Sequence, residues 1–447
     1  KTRHNEVAPS QFETAPIFEE ANIATDHNQL LMEILRKVAV RHNFAMLLHE
    51  KPFAGVNGSG KHNNWSMAVT ASGADHDGDN LLEPGKTPRE NLRFLLVLAA
   101  ILRGVHKHSR LLRAGIASSG NDHRLGANEA PPAIISAFLG EMLNRIMNEI
   151  EAGKVGTNEN VEAAVLRMGV SQLPELAKDS TDRNRTSPFA FTGNKFEFRA
   201  VGSSASTAFP VTLLNAAVTD GFMEVTAMLK GKLASGSKLD AAILETVKEF
   251  AKMTKSIRFE GNNYSEEWVK EAEKRGLPNL RKTPEALAQV VTKQSIALLT
   301  GLGIFSEAEV HSRYHVRLER YVKNLQIEVD TLRSMVDTII LPAAFGYHAD
   351  LADGVAKAKA AGVESPQKDA LNKITQLIQG LSAKRVELDK AYQKAESLTS
   401  EDEKAKVLAI EVSNAMLEIR RYSDELEAVV ADDAWPLCKY REMLFIK

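Results

Sequence analysis

Cysteine is almost absent from this chain of 447 residues, which contains Cys438 alone. A single cysteine excludes an internal disulfide framework and favours a reducing compartment. The chain also lacks an apolar run of about 18 residues, the length that a membrane-spanning helix requires. Its start lacks the pattern of a signal peptide. We therefore expect a cytoplasmic protein with no membrane partner.

An excess of either charge is missing as well. Lysine and arginine number 56 against 58 aspartate and glutamate residues, which gives a formal net charge of -2. A chain so close to neutral offers no general attraction to nucleic acid or to an anionic membrane. We expect no nucleic-acid partner.

The first residue is Lys1 rather than methionine, and a chemically suggestive run from Lys1 to Glu6 opens the chain directly. We expect the sequence to be the C-terminal part of a longer protein. Its length is still sufficient for a large core or for two to three domains.

The pattern of the chain changes near residue 222. Residues 1–221 hold most of the glycine and proline and alternate short β-type runs with helical ones, which predicts a mixed α and β domain. Residues 222–447 predict long helices. Apolar residues at 408–429 repeat with the spacing of a helix that packs on another helix. We predict a helical hairpin at about 366–430, with Ser400 as the cap of its second helix.

A glycine-rich stretch nearly spells a phosphate-binding loop. Gly55 and Gly60-Lys61 have the spacing of that motif, but His62 stands where a serine or threonine hydroxyl must complete a magnesium shell. The run that follows, 63–70, reads as an extended strand rather than as a helix. We reject the phosphate-binding loop and interpret His62 as a metal ligand on a strand.

Two glutamates lie close together near the start of the chain. Glu6 and Glu13 are separated by an odd number of positions, so they would share a face only if the chain bends, and Pro9-Ser10 is a plausible bend. Two converging carboxylates suit a hard cation. The alternative is that both glutamates are solvated surface residues.

A second charged segment alternates perfectly. In Lys195–Arg199, Phe196 and Phe198 face one side of a strand, and Lys195, Glu197 and Arg199 face the other. The charged side is either a wet face or a floor on which Glu197 holds metal and Arg199 holds an anion.

Polar loops supply further charged residues. The segment 117–132 reads as a functional loop or lid, and 182–187 carries two arginines that could clamp a carboxylate or phosphate. Together these residues suggest divalent metals that bridge a phosphate donor. The run His49–Phe53 lacks the second histidine of a zinc protease, which we reject.

Five motifs occur in the order of one known family. They are Asn-Glu-Val-Ala-Pro-x-Gln-x-Glu at 5–13, Asn-Gly-Ser-Gly-Lys-His at 57–62, Arg-Leu-Gly-Ala-Asn-Glu-Ala-Pro-Pro at 124–132, Asn-Arg-Thr-Ser at 184–187 and Phe-Glu-Phe-Arg at 196–199. In this order they resemble the catalytic half of glutamine synthetases. The longer strings at 51–62 and 120–132, and the C-terminal end at 440–447, resemble the type III branch.

The resemblance implies an α+β fold: a glutamine synthetase-type catalytic domain, with an antiparallel sheet and flanking helices, followed by a long helical extension. It implies ATP-dependent ligation of ammonia to glutamate through γ-glutamyl phosphate, with Mg²⁺ or Mn²⁺ as cofactor. It also implies a homo-oligomer of stacked hexameric rings, in which a neighbouring subunit's N-terminal domain completes each site.

The resemblance also implies roles for individual residues. Glu6 and Glu13 would bind one divalent ion, and His62 with Glu197 would bind the second. Asn57, Gly58, Arg124 and Arg199 would bind substrate, with Arg124 on the substrate carboxylate. Glu129 on a flap and Arg185 near the transferring phosphoryl would be catalytic, and Asn64, Ser66 and Lys195 would lie near the nucleotide.

The sequence departs from the family pattern in three places. No arginine occurs in 186–192, where the family places one, and Lys195 stands where relatives often have arginine. A lysine keeps the charge but loses the bidentate fork. The family's N-terminal β-grasp domain, and a strand with two further glutamate ligands, would lie upstream of Lys1.

Two other functions stay open. One is a related γ-glutamyl ligase that uses another amine. The other is a non-catalytic assembly or regulatory protein that retains the fold, which the long helices at 310–430 favour.

Overall fold

The computed structural model of the chain describes residues 2–6, 10–49, 60–70, 78–84, 88–126, 130–153, 186–439 and 442. The chain forms two compact units. The first comprises Lys1–Val7, Phe12–Arg281 and Ala286–His311, and the second comprises Ala8–Gln11, Lys282–Glu285 and Ser312–Lys447. The resemblance implies a mixed domain at 1–221 and a helical region at 222–447 that completes the catalytic domain and forms the extension; a single helix, Ala208–Ala234, runs through residue 221.

Two small sheets belong to the first unit. Strands β1 (Thr2–Asn5) and β2 (Phe12–Ala15) form an antiparallel pair. Strands β3 (Lys61–Trp65), β4 (Ala137–Phe138), β5 (Phe189–Phe191) and β6 (Phe196–Val201) form a sheet in the order β3-β6-β5-β4. The expectation of an antiparallel sheet needs one correction, because β4 runs parallel to β5.

Most of the described chain is helical, which confirms the α+β class. The helices are α1 (Ala21–Arg41), α2 (Pro88–Lys107), α3 (Ser109–Gly115), α4 (Ser119–Arg124), α5 (Glu141–Glu151), α6 (Ala208–Ala234), α7 (Leu239–Met253), α8 (Glu266–Lys274), α9 (Thr283–Leu287), α10 (Lys293–Gly301), α11 (Glu307–Met335), α12 (Leu341–Ala360), α13 (Lys368–Glu396), α14 (Glu401–Val407) and α15 (Ser413–Val429). π-Helical stretches at Val336–Ile340 and Leu408–Val412 join α11 to α12 and α14 to α15.

Phenylalanines from the four-stranded sheet form the centre of the first core. Phe189 stacks on Phe196 with 4.3 Å between ring centroids, and Phe191 meets Phe94 of α2 at 5.8 Å. Strand alternation places these rings on one face of the sheet. The opposite face of β6 is therefore left for its charged residues.

Helices α2 and α6 pack closely because glycine lies at their crossing. A Cβ on Gly104 would come within 2.3 Å of the Ala217 carbonyl oxygen, and one on Gly221 within 2.1 Å of the Ala100 oxygen. Ion pairs continue along the same interface, where the Lys107 Nζ lies 2.6 Å from a carboxylate oxygen of Asp220. The short distance between the two helices thus requires glycine, which has no side chain, at positions 104 and 221.

Helix α1 carries apolar residues at helical spacing, but none of its residues is fully buried. Its N-terminus is capped by Glu20, whose carboxylate accepts the Asn22 and Ile23 N–H groups at 3.1 and 3.3 Å. Leu30 is 57% exposed and Ile34 45% exposed. Leu31 and Met32 are half-buried, and the Lys61 ammonium donates to the Met32 sulfur at 3.1 Å, so the apolar face of α1 is covered only in part.

The second unit contains the hairpin expected at about 366–430. Helix α13 packs along α14 and α15, and Ile419 and Leu426 of the heptad seam are fully buried. Ser400 accepts the Glu403 N–H at 3.4 Å and so caps α14, as its sequence predicts. In the described part of the chain, no helix is long and apolar enough to cross a membrane.

The segment between α7 and α8 contacts strand β4. Glu260 in this segment accepts the Leu139 and Gly140 N–H groups at 3.1 and 3.0 Å, just before α5 begins. Burial raises the pKa of Glu260 to about 7, although the two N–H groups and the Arg258 charge lower it.

Gly221→Ala should destabilise the first unit by about 1–3 kcal/mol, the usual cost of overpacking. The added methyl would press on the Ala100 carbonyl oxygen, which belongs to the backbone and cannot rotate away. Urea unfolding measures the change. Gly231→Ala is the control, because it lies in the same helix and a Cβ there meets nothing within 4 Å; equal effects of the two variants would contradict the packing argument.

Glu260→Gln should flatten the pH dependence of stability between pH 4.5 and 7. The pKa of Glu260 is raised from 4.5 to about 7 by folding, so its stabilising contribution is complete below pH 4.5 and is lost as the pH rises through 7. Relative to wild type, the glutamine variant should gain stability across this window in urea unfolding. Glu273→Gln, at an exposed position of α8, should follow the wild-type curve.

Candidate active site

The β1–β2 hairpin brings the first two glutamates together. His4 pairs with Glu13, and Ser10 has a φ of 59°, a left-handed conformation that reverses the chain. The bend predicted near Pro9-Ser10 is thus present at Ser10, while Pro9 lies outside the described residues. The hairpin thereby brings Glu6 and Glu13 close enough for the charge of Glu6 to act on Glu13.

Crowding of carboxylates changes the titration of Glu13. Burial raises its pKa, the Glu6 charge and a hydrogen bond that protonated Glu13 donates to Glu6 raise it further, and the Glu197 charge adds to the rise; the His4 charge opposes it. Glu13 is therefore within electrostatic range of both Glu6 and Glu197.

Strands β3 and β6 position the second pair. Asn64 is paired with Glu197, and the register shifts between Lys61 and Asn63, where His62 lies. Burial lowers the pKa of His62 to about 4, the Arg199 and Arg124 charges lower it too, and the Glu197 charge raises it. His62 is therefore neutral at pH 7, which is the form that binds metal. No helix follows Gly60, which confirms that this is not a phosphate-binding loop.

Arg199 forms an ion pair with Glu197 on the charged side of β6. Its Nε and Nη2 atoms both lie 2.9 Å from Oε2 of Glu197. The side chain of Arg199 is only 6% exposed and that of Glu197 20% exposed, so this side of the strand is not the solvated alternative. One carboxylate oxygen, Oε2, thus accepts both arginine donors, which leaves Oε1 of Glu197 outside these two bonds.

Arg124 lies deeper than its expected role implies. It is 1% exposed, and its guanidinium donates to the Arg199 carbonyl oxygen at 2.8 Å and the Val201 carbonyl oxygen at 3.3 Å. A Cβ on Gly60 would stand 2.6 Å from its Cζ atom. The structure therefore shows Arg124 supporting the backbone of β6; its pairing with a substrate carboxylate stays a prediction.

The residues expected near the nucleotide lie at one edge of the sheet. Asn64 is exposed on β3, and Ser66 donates to Asn80, whose amide donates to the Asn194 carbonyl oxygen at 2.8 Å. The carbonyl oxygen of Lys195 accepts the Thr192 N–H at 2.8 Å in the turn between β5 and β6. This hydrogen-bonded edge is polar, and its contact with the nucleotide stays a prediction.

Four expected site residues lie outside the described part of the chain: Asn57, Gly58, Glu129 and Arg185. The described residues that flank them are ordered by hydrogen bonds. The Gly126 N–H donates to the Pro131 carbonyl oxygen at 3.1 Å, so the two described residues on either side of Glu129 lie close together. Thr186, which follows Arg185 directly, accepts the Asn263 N–H at 2.9 Å.

The segment 117–132, expected to be a loop or lid, is partly helical. Ser118 caps α4 by accepting the Asn121 N–H at 3.2 Å. The buried Asn121 side chain then donates to the Ala200 carbonyl oxygen of β6 at 3.0 Å. The sequence reasoning missed this asparagine, although a serine three residues before it is a helix-start signal.

The candidate metal ligands form two pairs, Glu6 with Glu13 and His62 with Glu197, and each pair suits a divalent cation. Among the described residues, no three histidine, cysteine, aspartate or glutamate side chains converge to hold one ion. The Glu6–Glu13 pair nevertheless carries a repulsion that a cation would relieve, and His62 is neutral next to the charge of Glu197. Each pair would need further ligands to complete a shell.

Comparison with known proteins assigns the family. A model described as "Glutamine synthetase, catalytic domain" matches residues 1–136, and one described as "Glutamine synthetase C-terminal domain" matches residues 242–359. A glutamine synthetase of Bacteroides fragilis is 44% identical over 457 residues, which cover 100% of this chain and 62% of that protein. The chain belongs to the glutamine synthetase family.

Other relatives agree over the same length. The type-3 glutamine synthetase of Dictyostelium discoideum is 43% identical over 100% of this chain and 60% of its own length. The glutamine synthetase of Butyrivibrio fibrisolvens is 42% identical over 100% of this chain and 62% of its own length. The chain thus spans about three fifths of the length of these relatives. The catalytic-domain match includes both hairpin glutamates and His62.

Glu13→Gln should weaken Mn²⁺ binding by about 10-fold or more, the scale found for changes around metal ligands. The amide cannot supply the carboxylate charge that balances the cation. Isothermal titration of Mn²⁺ into the full-length protein measures the affinity. Glu33→Gln, at a surface ion pair with Lys37 on α1, should bind Mn²⁺ as wild type does; an unchanged affinity in Glu13→Gln would contradict the ligand assignment.

Proposed function

We propose that the full-length protein is a type III glutamine synthetase, which joins ammonia to L-glutamate at the expense of ATP. The observation that carries the proposal is that Glu197 forms an ion pair with Arg199 and acts electrostatically on both His62 and Glu13. This arrangement occurs in a chain of the glutamine synthetase family. The cytoplasm is the compartment that fits an exposed, unpaired Cys438.

The reaction proceeds in two steps. A γ-carboxylate oxygen of glutamate attacks the γ-phosphorus of ATP, and the bond to the ADP oxygen breaks. Ammonia then attacks the acyl carbon of γ-glutamyl phosphate, and inorganic phosphate leaves with the bonding electrons. Ammonium must first lose a proton, which Glu129 accepts in this proposal.

The described residues bind and orient these reactants. Glu6 with Glu13, and His62 with Glu197, would hold two Mg²⁺ or Mn²⁺ ions, which offset charge on the phosphates when bound. Arg199 is held by Glu197 at 2.9 Å, so its guanidinium is already oriented for an anion. Arg185 would contact the transferring phosphoryl.

Further binding roles follow the same proposal. Asn57 and Gly58 would line the glutamate and ammonium region, with Arg124 on the substrate carboxylate. Asn64, Ser66 and Lys195 would lie near the nucleotide. Homo-oligomeric stacked hexameric rings would complete each site with residues of a neighbouring subunit.

The helical second unit favours a different function, that of an assembly protein. Ion pairs form within and between its helices. The Arg385 guanidinium lies 2.8 Å from a carboxylate oxygen of Asp337 and 2.6 Å from one of Asp389. These pairs stabilise helix packing and provide no chemistry of their own. Retained metal-capable pairs in the first unit support the ligase over this alternative.

His62→Gln should lower ammonium-dependent turnover by about 100-fold or more, because the second ion would lose its nitrogen ligand. The assay measures glutamine and phosphate formed from ATP, glutamate and Mg²⁺, with and without ammonium, by the full-length protein. His42→Gln, at an exposed position after α1, is the control and should be active.

Three results would contradict the proposal. Wild-type protein that binds metal without turnover would favour the assembly function. Turnover with another amine but not with ammonium would favour the related ligase. Normal activity in His62→Gln would remove the ligand role of His62.

A further inference from the structure

Asn263 joins three separate segments of the first unit. Its side chain is 0% exposed and lies between α7 and α8. Its Oδ1 accepts the Ser136 hydroxyl at 2.7 Å, and its Nδ2 donates to the Thr186 hydroxyl oxygen at 3.2 Å and the Gly261 carbonyl oxygen at 3.3 Å. The Asn263 backbone N–H also donates to Thr186, at 2.9 Å.

This network is specific because its members are buried and polar. The Asn263 carbonyl and both amide hydrogens have partners, and Ser136 is also 0% exposed. Loss of one member would leave a buried polar group without its hydrogen-bond partner, which is unfavourable. A buried network in which every polar group has a partner favours a single arrangement of the segments that it joins.

Neighbours of Asn263 hold the same piece of chain along its length. The Phe259 N–H donates to the Ala137 carbonyl oxygen at 3.0 Å, and Glu260 accepts the N–H groups that follow β4. The Phe259 ring stacks on Trp268 of α8 with 3.8 Å between centroids, and Ile134 belongs to the same apolar cluster. The segment from Arg258 to Trp268 therefore holds residues 134–140 in place by hydrogen bonds and apolar contacts; we call this segment the clamp.

The clamp reaches the candidate active site through the backbone. Two residues after Thr186, the Pro188 carbonyl oxygen accepts the Arg199 N–H at 2.9 Å. Asn263 thus connects the backbone at Ser136, next to β4, with the chain at Thr186 that leads into β5 and contacts Arg199 of β6.

We propose that Asn263 is a positioning residue for the ligase reaction. It fixes the backbone at Ser136 and Thr186, and through Pro188 it supports the placement of Arg199. This inference rests on the proposed function. It gives a role in catalysis to the region that matches the glutamine synthetase C-terminal domain, 242–359, which is remote in sequence from the charged side of β6.

The mechanism explains why loss of Asn263 should affect coupling as well as rate. A displacement of about 1 Å can lower a rate by about 100-fold when reactants must be aligned. γ-Glutamyl phosphate that waits for a misaligned second step can be hydrolysed by water. Phosphate release should then exceed glutamine formation.

The test measures glutamine formed per phosphate released, kcat and KM for Asn263→Ala in the full-length protein. We expect kcat to fall about 10-fold or more and the coupling ratio to fall clearly below that of wild type. Thr186→Val, which keeps the shape and removes the hydroxyl, should behave similarly, and Thr186→Ser should restore coupling. Asn262→Ala is the matched control, because Asn262 is the exposed neighbour.

Folding is followed separately in each variant by thermal unfolding. A fall in activity that only tracks the lost folded fraction, with coupling unchanged, would overturn the inference. Wild-type coupling and kcat in both Asn263→Ala and Thr186→Val would overturn it as well. If wild type itself shows no ammonium-dependent turnover, the proposed function fails and this inference fails with it; an active wild type with coupled variants contradicts the inference alone.

Discussion

The antiparallel pairing of β3 with β6 is the interaction on which the candidate site depends. It joins residues that lie more than a hundred positions apart in the sequence, with Asn64 opposite Glu197. The alternation of β6 then separates two environments. Phe196 and Phe198 enter the core at 0% and 1% exposure, while Glu197 and Arg199 remain on the other side as an ion pair.

Electrostatics on the charged side are unbalanced in a way that suits a cation. Burial raises the pKa of Glu13, and the charges of Glu6 and Glu197 raise it further. His62 stays neutral because burial and the Arg199 charge lower its pKa. A divalent ion would relieve the repulsion between the carboxylates, and the neutral imidazole of His62 could bind it.

Support for this arrangement comes from outside the strands themselves. Arg124 and Asn121 of α4 donate to carbonyl oxygens of β6, and Asn263 donates to the Thr186 hydroxyl just before β5. These side chains are buried and make several hydrogen bonds each. Rigid placement of charged groups is what electrostatic catalysis requires, so these buried residues support the site.

Local patterns predicted the strands well because each depends on few residues. The alternation at 195–199, the extended run after His62, the bend at Ser10 and the cap at Ser400 were all visible as short-range signals, and the structure confirms them. The α+β class followed from the family resemblance, and the four-stranded sheet differs from it only at β4, whose parallel pairing depends on a partner far along the chain.

Long-range contacts were not predictable in the same way. Nothing next to Asn263 indicates that it would meet Ser136, 127 positions away. The burial of Arg124 depends on Gly60 and on the carbonyl oxygens of β6, which come close only in the folded chain. The boundary expected at 221/222 was drawn at a change in composition, whereas packing of α6 on α2 keeps the helix in the first unit.

The most direct test of the account is an anomalous difference map from crystals of the full-length protein soaked in Mn²⁺. The account predicts two peaks, one beside Glu6 and Glu13 and one beside His62 and Glu197. Peaks at other residues only, or no peak at either pair at saturating Mn²⁺, would contradict it.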